Sequence, residues 1–497
     1  MDEPKVRSRP SSDDDDSPMP LLAFRDSPTD FVFPASPFRS SFRPSLPAPV
    51  TRRRFILAAC SIFSLTSLLL FFSFSLFEPP IPWKPYQPPS ASSYLDIPHR
   101  VDRLSAVLGP PTPKLKDNLR SDTKYITSWI SAGWTNDVMT YGNLVYLAII
   151  TERVPIIGHF IPSHIGGDAG SVPFSEVFDI DYLSQAIGMP VLEFDDVKDS
   201  NSTEIDELGC WSVWQAVQTH ETQPRLTYAL EHNGIDISYT SAPKSVQKFE
   251  GYEHDPHAHF WSVAALTYSE AHEAYKGHAQ PSAAHQVTLD PDEQLACFDY
   301  LYYLCATESF EYDHDFSPAW RFVVKNFRWT QRLQGIADGY LKRIFEVPDE
   351  DEVPPYIAIH ARRTDFSIYC NDVPVADCFP SLAVFARRIA EIQEEVRATK
   401  GIVPQHVLML SDEKDPLWWD AVHMLGWYSV DHTSEDTVAK YGRWYPLLID
   451  AVMQSSGIGF VGTDRSTMSV IAKRRVEDWH GGAVRMVKWG TPGADDH

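Results

Sequence analysis

Positive charge is what this 497-residue sequence has little of. Its 43 lysines and arginines stand against 67 aspartates and glutamates, for a formal net charge of −24. A surface this acidic repels a phosphate backbone, which argues against nucleic acid as a partner. A local arginine cluster still suffices for a small phosphate-bearing ligand. Cysteine is scarce as well: there are six, and no CxxC pair, so a zinc site has no support. Cys297/Cys305 and Cys370/Cys378 are close in sequence, Cys210 is left over and Cys60 lies in an apolar run. In an oxidising compartment the expectation is two local disulfides and one free thiol; the alternative is that all are reduced and buried. No internal repeat is evident.

Long hydrophobic runs are also missing, with one exception. Residues 55–77 carry no charge, and about 20 apolar residues span a bilayer core as helix. Arg52, Arg53 and Arg54 precede this run, and Glu78 and two prolines follow. The positive-inside rule places the N-terminus in the cytosol and the bulk of the chain on the far side. A cleaved signal peptide is disfavoured by the leading segment of about 50 residues and by the length of the run. Asn201-Ser202-Thr203 is an N-glycosylation acceptor triplet, in keeping with that side.

Around this anchor the composition shifts. Residues 1–51, rich in Pro, Ser and Asp with the run Asp13–Asp16, read as a disordered cytosolic tail. Residues 52–78 hold the signal anchor, and the proline-rich stretch 79–120 reads as a semi-rigid stem. The folded body is expected in two α/β units, 121–350 and 351–490. In the first, Val138, Tyr141, Leu144 and Ala148 recur at helical spacing before the short apolar strand Val154–Ile157. The polar, His-rich stretch 200–290 shows little periodicity and reads as an insertion, an acceptor-facing lobe. In the second, strands are expected at Tyr356–His360, Val407–Leu410 and Ile458–Val461. Between them, Leu382, Phe385, Ile389, Ile392 and Val396 line one face of a helix, and Leu447, Leu448, Ala451 and Val452 mark another. Such alternation means parallel sheets with helices on both faces: two Rossmann-like domains facing a cleft.

Three turns carry candidate chemistry. His360-Ala361-Arg362-Arg363-Thr364-Asp365-Phe366 follows a strand directly, where ligands of parallel sheets bind. One arginine there suits a diphosphate and the other an ion pair with Asp365; the alternative is a purely structural Arg–Asp network. Gly462-Thr463-Asp464-Arg465-Ser466-Thr467-Met468-Ser469 joins a strand to a helix, whose free N–H groups and hydroxyls suit an anion or serve as an ordinary cap. Gly133-Trp134-Thr135-Asn136 precedes a helix in the first unit, as a simple turn and cap or as the opposing wall of the cleft. Asp179-Ile180-Asp181 matches the DxD of metal-dependent sugar transfer but sits at a helix end, and His254, His257 and His259 read as solvated surface rather than a metal cluster.

Together the HARRTDF, GTDRSTMS and SAGWTNDVMTYGN segments resemble the GDP-fucose-dependent O-fucosyltransferases and their α1,6-fucosyltransferase relatives, over most of 125–480. The resemblance implies a GT-B fold, GDP-fucose as donor, a protein or glycan hydroxyl as acceptor, inversion at the sugar carbon, and neither cofactor nor metal. It gives Arg362 the catalytic role of neutralising the departing β-phosphate. His360, Arg363, Asp365, Ser466 and Thr467 would orient or bind the diphosphate, Asp450 would contact guanine, and Asn136 would belong to the opposing turn. It also implies a single-pass membrane enzyme of the endoplasmic reticulum or Golgi with a lumenal catalytic body. A glutamate that some relatives use as base has no counterpart: Ser131 and Ala132 stand there. The sequence therefore names no general base. It leaves open a non-catalytic nucleotide-sugar or glycan binder, or a transferase using another nucleotide sugar.

Overall fold

The computed structural model describes residues 100–218, 220–252 and 255–496. The tail, the anchor Phe55–Phe77 and the stem up to residue 99 lie outside the described residues. Among the described residues no helix is long and apolar enough to cross a membrane.

The first half contributes strands β1 (Tyr125–Ser128), β2 (Val154–Ile157), β3 (Leu192–Glu193), β4 (Asp206–Ser212), β5 (Ile235–Ser241), β6 (Ala258–His259), β7 (Leu295–Phe298) and β8 (Leu304–Cys305). Six of them form one sheet in the order β3-β2-β1-β7-β4-β5, and β6 pairs with β8 in a separate two-stranded sheet. The second half adds β9 (Tyr356–Ala361), β10 (His406–Ser411), β11 (Tyr428–Ser429), β12 (Gly459–Thr463) and β13 (Ala483–Val487), ordered β11-β10-β9-β12-β13. Every pairing in both sheets is parallel. The α/β expectation therefore holds. The second sheet reverses its strand order once, between β9 and β12, while in the first the order turns at β1 with β7 inserted between β1 and β4; such switch points open crevices at the carboxyl ends of strands.

Helix α1 (Trp134–Thr151) follows β1, and α2 (Gln331–Ile344) closes the first half. Then α3 (Leu382–Lys400), α4 (Tyr445–Ser456) and α5 (Thr467–His480) alternate with the second sheet. The apolar stripe expected on α3 is buried at Phe385, Ile389, Ile392 and Val396. A single large core runs through both halves, and a second cluster lies between α3 and the outer face of the second sheet. Helix α5 packs back onto the first half: Trp320 Nε1 donates to Asp478 Oδ2 at 2.5 Å, and the Arg475 guanidinium lies 4.1 Å from the Trp329 ring centre.

Three expectations change. The stretch 200–290 supplies β4 and β5, two strands of the first sheet, so it is not an insertion throughout. Its polar residues are buried and bonded: Asp236 accepts from Ser282 Oγ at 2.6 Å and from the N–H groups of Ala284 and His285, and Ser238 Oγ donates to Gln280 O. The folded body also begins before residue 120. Leu115 is fully buried, Asp206 accepts its N–H at 3.1 Å, and Asn118 donates to Val197 O. Finally, Cys210 pairs with Cys297 rather than Cys297 with Cys305. Adjacent strands β4 and β7 bring Cys210 and Cys297 to a Cα separation of 4.5 Å, inside the range a disulfide bridges, while Cys305 is a buried free thiol. Cys370–Cys378 forms as expected.

Candidate active site

The second sheet's switch point gathers most of the candidate residues. His360 is the penultimate residue of β9, and its imidazole is buried with Nδ1 2.8 Å from Ser469 Oγ. Burial, with the Arg362 charge adding to it, pushes its pKa down to about 3. The ring is therefore neutral and serves as a hydrogen-bonding strut. Thr463, at the end of β12, ties the two strands: its Oγ1 donates to His360 O at 2.9 Å and accepts the Arg362 N–H at 2.9 Å.

Arg362 leaves the strand end with its guanidinium partly exposed. It donates to Asp365 Oδ2 at 2.5 Å, and its Nε lies 3.4 Å from Asp412 Oδ2. Two carboxylates thus hold it while part of its donor fork remains open. Arg363 is fixed differently. Its Nε donates to Glu413 Oε2 at 2.6 Å, and its guanidinium lies 5.1 Å from the Phe379 ring and 5.4 Å from Trp418. The expectation from the sequence is one arginine for a diphosphate and the other paired with Asp365. The pairing with Asp365 belongs to Arg362, and Arg363 is clamped between rings and Glu413. Asp412 completes the turn by accepting the N–H groups of Arg363 and Thr364 at 2.7 and 3.2 Å.

Across the switch point Ser466 caps α5, its buried side chain accepting from Ser469 N at 3.4 Å. Arg465 just before it has φ +65°, a left-handed conformation uncommon outside glycine, with its guanidinium 6.0 Å from the Trp489 ring. Thr467 is the first residue of α5, and its Oγ1 lies 2.8 Å from Thr135 Oγ1 at the start of α1. Two helix N-termini, one from each half, therefore meet where free N–H groups favour an anion. Asn136 is in the first turn of α1, half-buried, next to this contact.

Asp450 stands apart. Its Oδ1 lies 2.9 Å from His432 Nε2, whose Nδ1 faces Thr437 Oγ1 at 3.1 Å, with the Tyr340 hydroxyl 2.7 Å from the same Oγ1. Asp179 is an N-cap accepting from Tyr182 N, and exposed Asp181 pairs with Arg103. Neither is arranged as a metal-binding DxD. His257 is buried against Asp255 at 2.7 Å rather than solvated, and His259 stacks on Trp261; His254 lies outside the described residues.

Sequence reasoning missed Asp412, Glu413, Thr463 and Ser469 as positioning residues. The signal was present: Ser411-Asp412-Glu413 ends β10 just as the arginine turn ends β9. It also missed His164, in the loop after β2, whose imidazole packs against the Gly133 turn: a Cβ on Gly133 would stand 3.1 Å from its Cδ2. No motif marks that loop.

A search against protein-family models finds no match, and neither does a search of curated proteins. Among solved structures the chain is similar to POFUT1 in complex with GDP-fucose, at 13% identity and a TM-score of 0.47, over 73% of this chain and 98% of that one. It is also similar to the fucosyltransferase NodZ from Bradyrhizobium, at 14% identity and a TM-score of 0.35, over 71% and 92%. A NodZ alpha-1,6-fucosyltransferase crystal soaked with GDP-fucose gives 15% identity and a TM-score of 0.36, over 75% and 97%.

Proposed function

We propose that this chain is a GDP-fucose-dependent fucosyltransferase of GT-B type, moving fucose with inversion, and without a metal, to a protein or glycan hydroxyl. The observation that carries this is the placement of Arg362 at the switch point between β9 and β12, beside the N-terminus of α5 and its Ser466 and Thr467. As the bond from the fucose anomeric carbon to the β-phosphate oxygen breaks, negative charge grows on GDP. A fixed guanidinium and a helix N-terminus stabilise that charge without reorganising. Arg363, clamped by Glu413, Phe379 and Trp418, would hold the turn in place, and Asn136 would face the donor from the first half. Asp450, already oriented by His432, would accept from the guanine base.

Arg362→Ala in the purified full-length chain should lower GDP release from GDP-fucose by at least about 100-fold, with GDP binding weakened but detectable. An unchanged rate removes Arg362 from catalysis. Thermal shifts with GDP, UDP and CMP test the donor: stabilisation by UDP alone refutes GDP. A chain stabilised by GDP that releases none from GDP-fucose is a binding protein instead.

We further propose the layout of a type II membrane enzyme of the endoplasmic reticulum or Golgi: cytosolic tail, anchor Phe55–Phe77, stem and lumenal body. Two disulfides within the body support an oxidising compartment, and Asn201 sits exposed in a turn. In sealed microsomes the body should resist protease and Asn201→Gln should remove a glycosidase-sensitive mobility shift. Digestion of the body in intact vesicles overturns this topology.

A further inference from the structure

The proposed transfer lacks a group to take the proton of the attacking hydroxyl, and the acidic residue expected ahead of Gly133 is absent. Most histidine rings of the body are engaged: His159 with Asp195, His257 with Asp255, His285 with Glu207, His360 with Ser469 and His432 with Asp450. His164 differs. No hydrogen bond among the described residues occupies either of its ring nitrogens. It lies against the Gly133 turn: a Cβ on Gly133 would stand 3.1 Å from its Cδ2 and 3.3 Å from its Nε2, so a larger residue there would displace the ring by a few tenths of an ångström.

Two residues along the chain from Gly133, Thr135 touches Thr467 of the anion-binding turn at 2.8 Å, and Thr467 opens the helix that flanks Arg362. The loop bearing His164 is held from both halves. Ser163 Oγ donates to Ala132 O at 2.7 Å, Arg443 pairs with Asp168 at 2.7 Å, and Trp444 Nε1 donates to Gly170 O at 2.9 Å. His164 thus lies beside the Gly133 turn at the junction of the halves, close enough for the charges of Arg362 and Asp365 to act on it.

We propose that His164 is the general base of the transfer. Its free ring nitrogen takes the proton of the acceptor hydroxyl while the hydroxyl oxygen bonds to the anomeric carbon. The bond from that carbon to the β-phosphate oxygen breaks, its electron pair leaves with GDP, and the imidazolium returns the proton to solvent. The charged groups acting on the ring are Arg362 and Asp365. His164 is exposed at the surface, yet desolvation by the surrounding loops is the largest influence on the ring and lowers its pKa from the usual histidine value; Arg362 acts in the same direction and Asp365 opposes both. The neutral, proton-accepting form is therefore the resting one at neutral pH.

This inference rests on the donor reading above, and the test separates the two. With water as acceptor, GDP release from GDP-fucose is measured for the full-length wild type, His164→Ala and His164→Gln, alongside thermal shifts with GDP. The expected result is a loss of about 100-fold or more in both variants with GDP stabilisation retained. Free imidazole should restore part of the rate in the alanine variant, and the acid limb of the wild-type pH profile should vanish. Rates within about threefold of wild type in either variant overturn the role of His164. A Gln variant that keeps activity while Ala loses it makes the residue structural and overturns it equally. A wild-type chain that GDP does not stabilise removes the donor reading itself; one that binds GDP but releases none from GDP-fucose removes the base.

Discussion

The two sheets end their central strands in opposite ways. At the end of β7, Asp299 is fully buried and accepts from Ser212 Oγ at 2.6 Å and from Val213 N at 2.8 Å, so the first crevice is closed by bonds internal to the fold. At the end of β9, His360 and Thr463 bind the strands together below the edge, and Arg362 stands above it with part of its fork open. Two parallel sheets thus yield a sealed edge in one half and a charged, ligand-ready edge in the other. The first half supplies structure and the loop of His164; the second supplies the charge.

This contrast can be broken most severely through the disulfides. Cys210–Cys297 closes a separation of 87 residues across the centre of the first sheet, whereas Cys370–Cys378 closes only 8 beside the arginine turn. Loop-closure entropy predicts a cost of about 4.5 kcal/mol for removing the first and about 2.5 kcal/mol for the second. Denaturant titration of the Cys210→Ser/Cys297→Ser and Cys370→Ser/Cys378→Ser proteins should rank them in that order. Equal losses would mean the sheets are not separately constrained.

The strand-end groups titrate with opposite sign. His360, neutral when folded with its pKa near 3, binds a proton more readily unfolded, so its contribution is lost as pH falls below about 6.5. Burial raises Asp299 to about 6, outweighing its hydrogen bonds, so its contribution is present at acid pH and lost as pH rises through 6. Each term is worth about 1.4 kcal/mol per pH unit within its window. His360→Gln should therefore flatten the acid loss of stability between pH 6 and 4, followed by thermal denaturation at each pH. An unchanged acid slope would show that His360 is not the group responsible.

Smaller effects sharpen the junction. Thr135→Val removes the hydroxyl contact with Thr467 and should cost about 1 kcal/mol in chemical denaturation. Arg465→Gly relieves a left-handed residue but frees the unfolded chain, so the two effects offset to within about 1 kcal/mol.

The same contrast explains what the sequence disclosed. The second half was legible because β9, β10 and β12 are short apolar runs, each followed at once by its polar turn, and α3 shows its stripe openly. The first half hid β4 and β5 because Asp206, Asp236, Ser238 and Thr240 lie buried among strand residues, and Asp206, Asp236 and Ser238 are satisfied by partners far along the chain. The disulfide partner of Cys297 was hidden for a related reason: nearness in sequence says nothing about which strands become neighbours. At the site, the arginine turn announced itself, while His164 lies against a glycine 31 positions earlier that no local pattern connects to it.

The meeting of two helix N-termini at Thr135 and Thr467 bears on how fast a ligand arrives as well as where it rests. The chain as a whole carries a net charge of −24, so a nucleotide diphosphate sugar approaches against repulsion and feels attraction only near the first turn of those helices. Added salt screens the long-range repulsion more than the short-range attraction, because the screening length at 0.1 M is about 10 Å. The association rate for GDP should therefore rise with ionic strength, the reverse of what electrostatic steering gives.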